Sequence, residues 1–374
     1  MTAPSLAFFT RLLDSASSPR LIDDAPPAER YRLATDQFRH AERFGVGRAW
    51  VAQHHFRAAE GGLPAPFVFL AHVAAATSEI RLGTGVVTLP LEDPVRVAED
   101  AVVADLLSGG RIDLGLGSGG TPSSFVPFGQ DVAAKAAVYE QKLAVLLDAL
   151  AGREIGGGNT LYPDAVGLAD RVWQATFSPA GGTRAGVHGH GLLLSRTQPR
   201  PADALGASLA ELQHPIIDRY LEALPDRVAP RVTASRTVFV ADDRADALRF
   251  AEVGLRRAAE GLRRSGHHLP DDALDDLIAA TDTHLGTPEE VAASLAADST
   301  LSRATEVAFQ VHSVDAPHDF VLRSIELFAT EVAPALGWAD RDRPLEPRSP
   351  LEPRNPLEPR SPLEHLSRLG KETS

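Results

Sequence analysis

The sequence predicts a (β/α)8 TIM barrel with insertions, followed by a Pro-rich tail, and three observations carry that prediction. Residues 80–129 read as strand, helix, strand, and a glycine-rich loop falls at the end of each strand. Two strands joined through one such helix lie parallel and adjacent in a βαβ unit. Short, near-continuous apolar runs recur eight times before residue 340, separated by helical patterns, as parallel strands buried on both faces do. The chain has 374 residues and is 44% apolar, which is enough for one large core.

The elements follow in order. The expected strands cover 5–10, 48–53, 80–87, 111–117, 171–177, 191–195, 235–241 and 306–312. A helix over 27–44 places Tyr31, Ala34, Phe38 and Ala41 on one face and stops at Gly45. Asp93-Pro94 opens the next, with Asp as N-cap and Pro in the first turn, and Ser108-Gly109-Gly110 closes it. Further helices are expected over 133–150, with Val138, Leu143, Leu146 and Leu150 facing inward, and over 244–264. Thr287-Pro288-Glu289-Glu290 is a capping box that starts a helix through Leu295, and the last helix runs over 318–333. The polar stretches 150–169, 196–231 and 266–284 read as insertions, the second and third as lids on the face where strands end.

From Arg343 the chain carries a six-residue PLEPRS-like repeat with Pro at every third position. Such spacing removes amide donors and blocks helix and sheet. The expected domains are therefore a barrel over 1–339 and an extended or disordered tail over 340–374.

A net charge of −13 argues against nucleic acid or an anionic membrane as partner. The absence of cysteine excludes disulfides, thiolate metal sites, Fe–S clusters and a Cys nucleophile. The N-terminus shows no basic segment followed by a long apolar run, and no run of about 18 apolar residues occurs anywhere, so a soluble cytoplasmic protein is expected.

Three motifs fall at strand ends. Gly115-Leu-Gly117-Ser-Gly119-Gly120 fits GxGxxG, but no helix starts on it, so it reads as a loop that lets a ligand approach the backbone. His54-His55 follows an apolar strand. Alternation points the two imidazoles to opposite sides, so they do different jobs: one is a candidate acid/base, and the alternative is a structural histidine that hydrogen-bonds its neighbours at a strand end. Ser178-Pro179-Ala180-Gly181-Gly182-Thr183 precedes a short helix and offers either an anion site or an ordinary βα turn. His188 and His190 precede a strand, on the opposite face, and read as structural; His267-His268 reads as surface.

AQHHF at 52–56, LGTGVVTLPLEDPVRVAED at 82–100, LSGGRIDLGLGSG at 107–119 and GTPEEVAASL at 286–295 together resemble the bacterial luciferase-like monooxygenases, in order, over about residues 5–338. The resemblance implies a (β/α)8 barrel that binds reduced FMN, delivered by a separate flavin reductase, at the carboxyl ends of its strands. Oxygen adding at the flavin C4a carbon gives a peroxyflavin that oxidises a small organic substrate. It also implies His54 as acid/base; Thr84, Gly85 and Val86 as the bulge under the flavin ring, with a cis peptide between Gly85 and Val86; Ser118 at the flavin; and Ser178, Ala180, Gly181, Gly182 and Thr183 at its phosphate. This sequence departs from the luciferase pattern at Gln53, where luciferase has Glu, at Gly117-Ser118, where it has Cys-Arg, and at Gly181, where it has Thr. Arg184, Arg196 and Arg200 are the candidate replacements for the missing charge. The alternatives are an F420-dependent hydride-transfer enzyme and a non-catalytic flavin-binding protein. Phe8, Phe56 and Phe125 are expected around an apolar substrate, with Phe8 and Phe56 equally suited to core positions. A homodimer is expected from family habit.

Overall fold

A computed structural model describes residues 3–12, 27–56, 61–201, 203–204, 206–264, 269 and 273–338. The expected tail and His267-His268 lie outside these residues. The helical and strand elements are β1 (Ser5–Thr10), α1 (Pro27–Arg43), β2 (Arg48–Val51), α2 (Pro66–Ala76), β3 (Arg81–Thr84), β4 (Val87–Thr88), α3 (Pro94–Ser108), β5 (Ile112–Gly117), α4 (Lys135–Leu150), β6 (Val172–Ala175), α5 (Pro179–Val187), β7 (Gly191–Leu194), α6 (Leu209–Ala223), β8 (Val232–Val240), α7 (Arg244–Arg264), α8 (Leu274–Ala280), β9 (Thr283–Gly286), α9 (Pro288–Ala296), β10 (Glu306–Gln310) and α10 (His318–Leu327).

The wall runs β10-β1-β2-β3-β5-β6-β7-β8, and β8 pairs back onto β10, so among the described residues eight parallel strands close a (β/α)8 TIM barrel. All eight correspond to strands expected from the sequence. Two short strands lie off this ring. β4 extends the β3 side along β5, with Val87 opposite Leu116. β9 pairs with the last residues of β8, Thr237 to Val240, while β10 takes the first, Thr233 to Thr237.

Local signals explain the helices. Asp93 accepts from Val95 N and Arg96 N at the start of α3, and Gly109 ends it at φ 73°. Thr287 and Glu290 form the reciprocal capping box at α9. Two expectations are corrected. The stretch 196–231 is not simply an insertion, because it contains α6, the helix that returns the chain from β7 to β8. Pro215 inside α6 interrupts the sequence pattern, yet Ile216, Ile217 and Tyr220 bury a full apolar face behind a Ser208/Glu211 capping box. The stretch 266–284 likewise holds α8 and runs into β9.

Alternation divides each strand between two packing regions. Outward side chains such as Leu82, Leu114, Val307 and Phe309 join the helices in the main core. Phe8 belongs there, edge-on to Phe38 at 6.2 Å, the core position that was its alternative, while its neighbour Phe9 packs against the inner cluster of Trp50 and Trp173. Inward side chains stack in layers. At the amino ends Arg48 bridges Asp113, at 2.9 Å, and Glu306, and Arg81 adds a second contact to Asp113 at 2.7 Å. Above this ionic floor Trp50 and Trp173 meet edge to face at 5.5 Å, with Ala7, Leu193 and Ala308 around them. Trp50 Nε1 donates to Glu306 at 2.9 Å, tying the two layers together. Gly83 and Gly191 make room for the indoles, since a Cβ at either would collide with a tryptophan ring. The barrel is plugged from below, so its open end is the mouth at the carboxyl ends of the strands. Among the described residues no helix is long and apolar enough to cross a membrane.

Candidate active site

His54 leaves the end of β2 and is anchored by its own amide, which donates to Leu63 O at 3.0 Å. Its ring lies against Gly61, whose φ of +146° and lack of Cβ permit the contact. Loss of solvent, then the charges of Arg11 and His55, hold its pKa well below the ordinary histidine value. His54 is therefore a neutral imidazole at pH 7. His55 turns the other way, edge-on to Phe128 at 4.8 Å and near Phe56, so the two histidines do occupy different environments. Phe56 is largely exposed and Phe125 is buried.

Gln53, where the resembling motif has Glu, is a cross-brace. Its Nε2 donates to Pro64 O at 3.1 Å and to Glu92 Oε1 at 2.6 Å, while its Oε1 accepts from Thr88 N at 2.7 Å. A carboxylate could make only the last of these. The brace fixes the turn that follows β3. There the peptide between Gly85 and Val86 is cis, as the resemblance implied. Gly85 N donates to Val51 O at 2.7 Å, and Gln53 N to Val86 O at 3.3 Å. The Thr84 hydroxyl is engaged by the backbone of β5. It accepts from Gly115 N and donates to Gly115 O, both at 2.8 Å, replacing a rung between β3 and β5. Val86 lies directly over Gly117, so the absence of a side chain at Gly117 is needed for the bulge itself. Phe9, Val86 and Ala175 cap the tryptophan layer.

Ser118 is half-buried in the loop after β5. Lys135, sixteen residues after Gly119, reaches back from the start of α4 and donates Nζ to Gly119 O at 3.0 Å. The sequence does not show this cation as a candidate because its partner lies sixteen residues back, across the loop that follows β5.

At the turn 178–183, Ser178 caps α5 by accepting from Gly181 N at 3.3 Å. Ser178, Ala180 and Thr183 are exposed, whereas Gly181 and Gly182 are buried. Both glycines have packing reasons: a Cβ at Gly181 would collide with the Thr176 hydroxyl, and one at Gly182 with Ile216 O of α6. Thr183 Oγ1 donates back to Pro179 O at 3.3 Å. The candidate arginines separate clearly. Arg184 pairs with Glu140 and with Gln174 Oε1, both at 2.7 Å, and lies over Tyr139. Arg200 pairs with Asp282 at 2.7 Å. Arg196 is buried and donates to Thr237 Oγ1 at 2.9 Å. His190, read as structural, bonds the side chain of Gln174 through Nδ1 at 2.9 Å.

The mouth thus gathers the ends of β2, β3, β5, β6 and β7, with a neutral imidazole, a bulged apolar shelf and a capped helix start. A model of the family described as luciferase-like monooxygenase matches residues 11–304. The chain belongs to that family. It is an oxidoreductase, and its relatives carry monooxygenase names. Limonene 1,2-monooxygenase of Rhodococcus erythropolis is 27% identical over 310 residues, 79% of this chain and 79% of that one. The oxygenating constituent of 3,6-diketocamphane monooxygenase from Pseudomonas putida, a type II Baeyer–Villiger enzyme solved with FMN, superposes at TM-score 0.67 and 18% identity, over 89% of this chain and 98% of that one. The F420-dependent tetrahydromethanopterin reductase of Methanopyrus kandleri superposes at 0.62 and 18%, over 90% and 99%. At these identities the two structures share the fold with this luciferase-like chain.

Proposed function

We propose that this chain is the oxygenase component of an FMN-dependent, two-component monooxygenase that acts on a small organic substrate. The observation that carries the reading is the desolvated His54 beside the 84–86 bulge at a mouth plugged from below. The residues fit a flavin. Phe9, Val86 and Ala175 offer an apolar shelf for a ring system, and Gly117 leaves the shelf uncovered. Ser178 Oγ, the Ala180 amide and the start of α5 suit a phosphate. Lys135 takes the place of the luciferase arginine as the nearby charge, since Arg184 and Arg200 are engaged by carboxylates.

Bound reduced flavin would supply oxygen activation, received from a separate reductase. The chain supplies orientation and dryness: the tryptophan layer excludes water from below, and the neutral His54 can accept a proton from substrate and return it. Anaerobic titration with reduced FMN, and separately with reduced F420, tests the cofactor. Saturable FMN binding with slowed reoxidation in oxygenated buffer supports the reading. Tight F420 binding with no FMN binding transfers the chain to hydride transfer.

A homodimer is part of the same proposal. α3 exposes Val103 (46%), Leu106 (58%) and Leu107 (67%) on its outer face, an apolar strip that suits a second copy. Light scattering is expected to give twice the chain mass, and Leu107→Arg to give monomer. A monomeric wild type would remove this part.

A further inference from the structure

Lysine is rare in this chain, with three among 37 basic side chains, and two of the three, Lys135 and Lys142, lie two turns apart on one face of α4. Between them Tyr139 Oη donates to Gln174 Oε1 of β6 at 3.2 Å. Lys142 Nζ donates to Pro90 O at 2.8 Å and to Glu92 O at 2.6 Å. One helix face thus touches the turn after β4, the loop after β5, and β6 itself. The two carbonyls end the 3₁₀ turn Leu89–Leu91, where backbone acceptors lack partners within the turn. Acceptors that converge on one point suit a compact ammonium with three donors better than the flat guanidinium that supplies most of this chain's positive charge.

The turn held by Lys142 is where Gln53 is anchored. Glu92 Oε1 accepts from Gln53 Nε2, which also donates to Pro64 O, next to the Leu63 O that receives the His54 amide. Gln53 Oε1 accepts from Thr88 N, and Gln53 N donates to Val86 O. A continuous chain of hydrogen bonds therefore runs from α4 to both halves of the site, the imidazole and the apolar shelf. Leu89 and Leu91 fix the same turn by packing, since both are buried, and Lys142 ties it to the helix layer.

We propose that Lys142 is a positioning residue for the oxygenation: it fixes the 89–92 turn so that Gln53 holds the His54 imidazole and the Val86 shelf in one mutual placement. The catalytic meaning of this brace rests on the monooxygenase reading.

Hydrogen exchange on the full chain without ligand reads the brace, and titration with oxidised and reduced FMN reads its consequence. Lys142→Met keeps the aliphatic stem and removes the donors. Exchange is expected to quicken by at least about threefold at Gln53, His54 and Thr88, whose amides close the chain, with β7 and β8 as in wild type. FMN affinity should fall by about tenfold, the scale of one hydrogen bond to a charged group. The visible circular dichroism of bound oxidised FMN should change shape, because the ring lies differently on the shelf. Lys142→Arg keeps the charge and should recover most of both effects; if Lys142→Met does not fold, Lys142→Gln takes its place. Leu146→Ala thins the core behind the same helix and is the comparison for destabilisation alone. It should lower the melting temperature and quicken exchange throughout the barrel while leaving the flavin dichroism unchanged. Three results would each overturn the assignment: wild-type exchange at the three amides, exchange quickened evenly as in Leu146→Ala, or unaltered FMN affinity and dichroism in a variant whose three amides have loosened. Selective loosening in a chain whose wild type binds no FMN would remove the flavin reading and leave Lys142 as the residue that fixes the two segments.

Discussion

Gln53 shows how much one side chain near the mouth is asked to do. It joins β2, the 62–65 loop, β4 and Glu92 through three hydrogen bonds, two of them as donor. Gln53→Glu would restore the luciferase residue but place a carboxylate against Glu92 and abolish both donations. Its stability at pH 7 is expected to fall by about 1–3 kcal/mol, the cost of unsatisfied buried groups. Two adjacent carboxylates raise one another's pKa, so the deficit should shrink as pH falls toward 5. Urea denaturation at the two pH values reads this, and a deficit that grows on acidification would contradict it. His54→Ala is expected to keep the fold and FMN binding while losing coupled substrate oxidation, with oxygen consumed to hydrogen peroxide instead. Unchanged product yield would remove His54 from the mechanism. His54 was legible as a candidate because a histidine pair at a strand end is a local signal. The contacts of Gln53 and Lys135 and the charge that Arg11 brings to His54 were not, because each depends on partners distant in sequence. Thr84, Gly181 and Gly182 carry motif positions whose main visible work is packing.

Among elements, α5 and α6 are in closest apposition. Gly182 and Gly186 of α5 sit under Ile216 O and Tyr220 O of α6, with no room for a methyl group. Gly182→Ala must push the helices apart and is expected to cost about 1–3 kcal/mol, as overpacking does. The same shift moves the start of α5, so FMN affinity should fall together with the melting temperature. A variant with a lowered melting temperature and unaltered FMN affinity would dissociate the turn from the phosphate. The strands were readable from their apolar runs, and the helices with caps or strong amphipathic faces were readable too. α2 is apolar on all sides and α6 contains Pro215, so neither shows the pattern that marks a surface helix. β9 is only four residues, and its pairing with β8 is a property of the assembled wall.

At the scale of the whole molecule, buried histidines set the acid limit. Desolvation, then His188 and Arg231, push His190 down to about 3, and desolvation, then Arg236, pushes His284 to about 4. Both values lie below the ordinary 6.5, so between 6.5 and these values the unfolded chain binds more protons than the folded one. Stability should therefore be full above pH 6.5 and fall on acidification, by about 1.4 kcal/mol per pH unit for each group within its window. The midpoint in urea should be lower at pH 5 than at pH 7, and less so in His190→Gln; a flat profile would contradict the burial. The closed barrel was visible in the sequence as eight alternating units, whereas the plug that closes one end was not, because Arg48, Asp113 and Glu306 come from three separate strands. That plug has an optical consequence. Two of the three tryptophans, Trp50 and Trp173, meet edge to face beneath the mouth, and the third, Trp338, lies at the end of the described chain. Their emission overlaps flavin absorption, so a chromophore seated on the Val86 shelf should darken the inner pair by energy transfer, giving the protein a built-in reporter of cofactor arrival that needs no label.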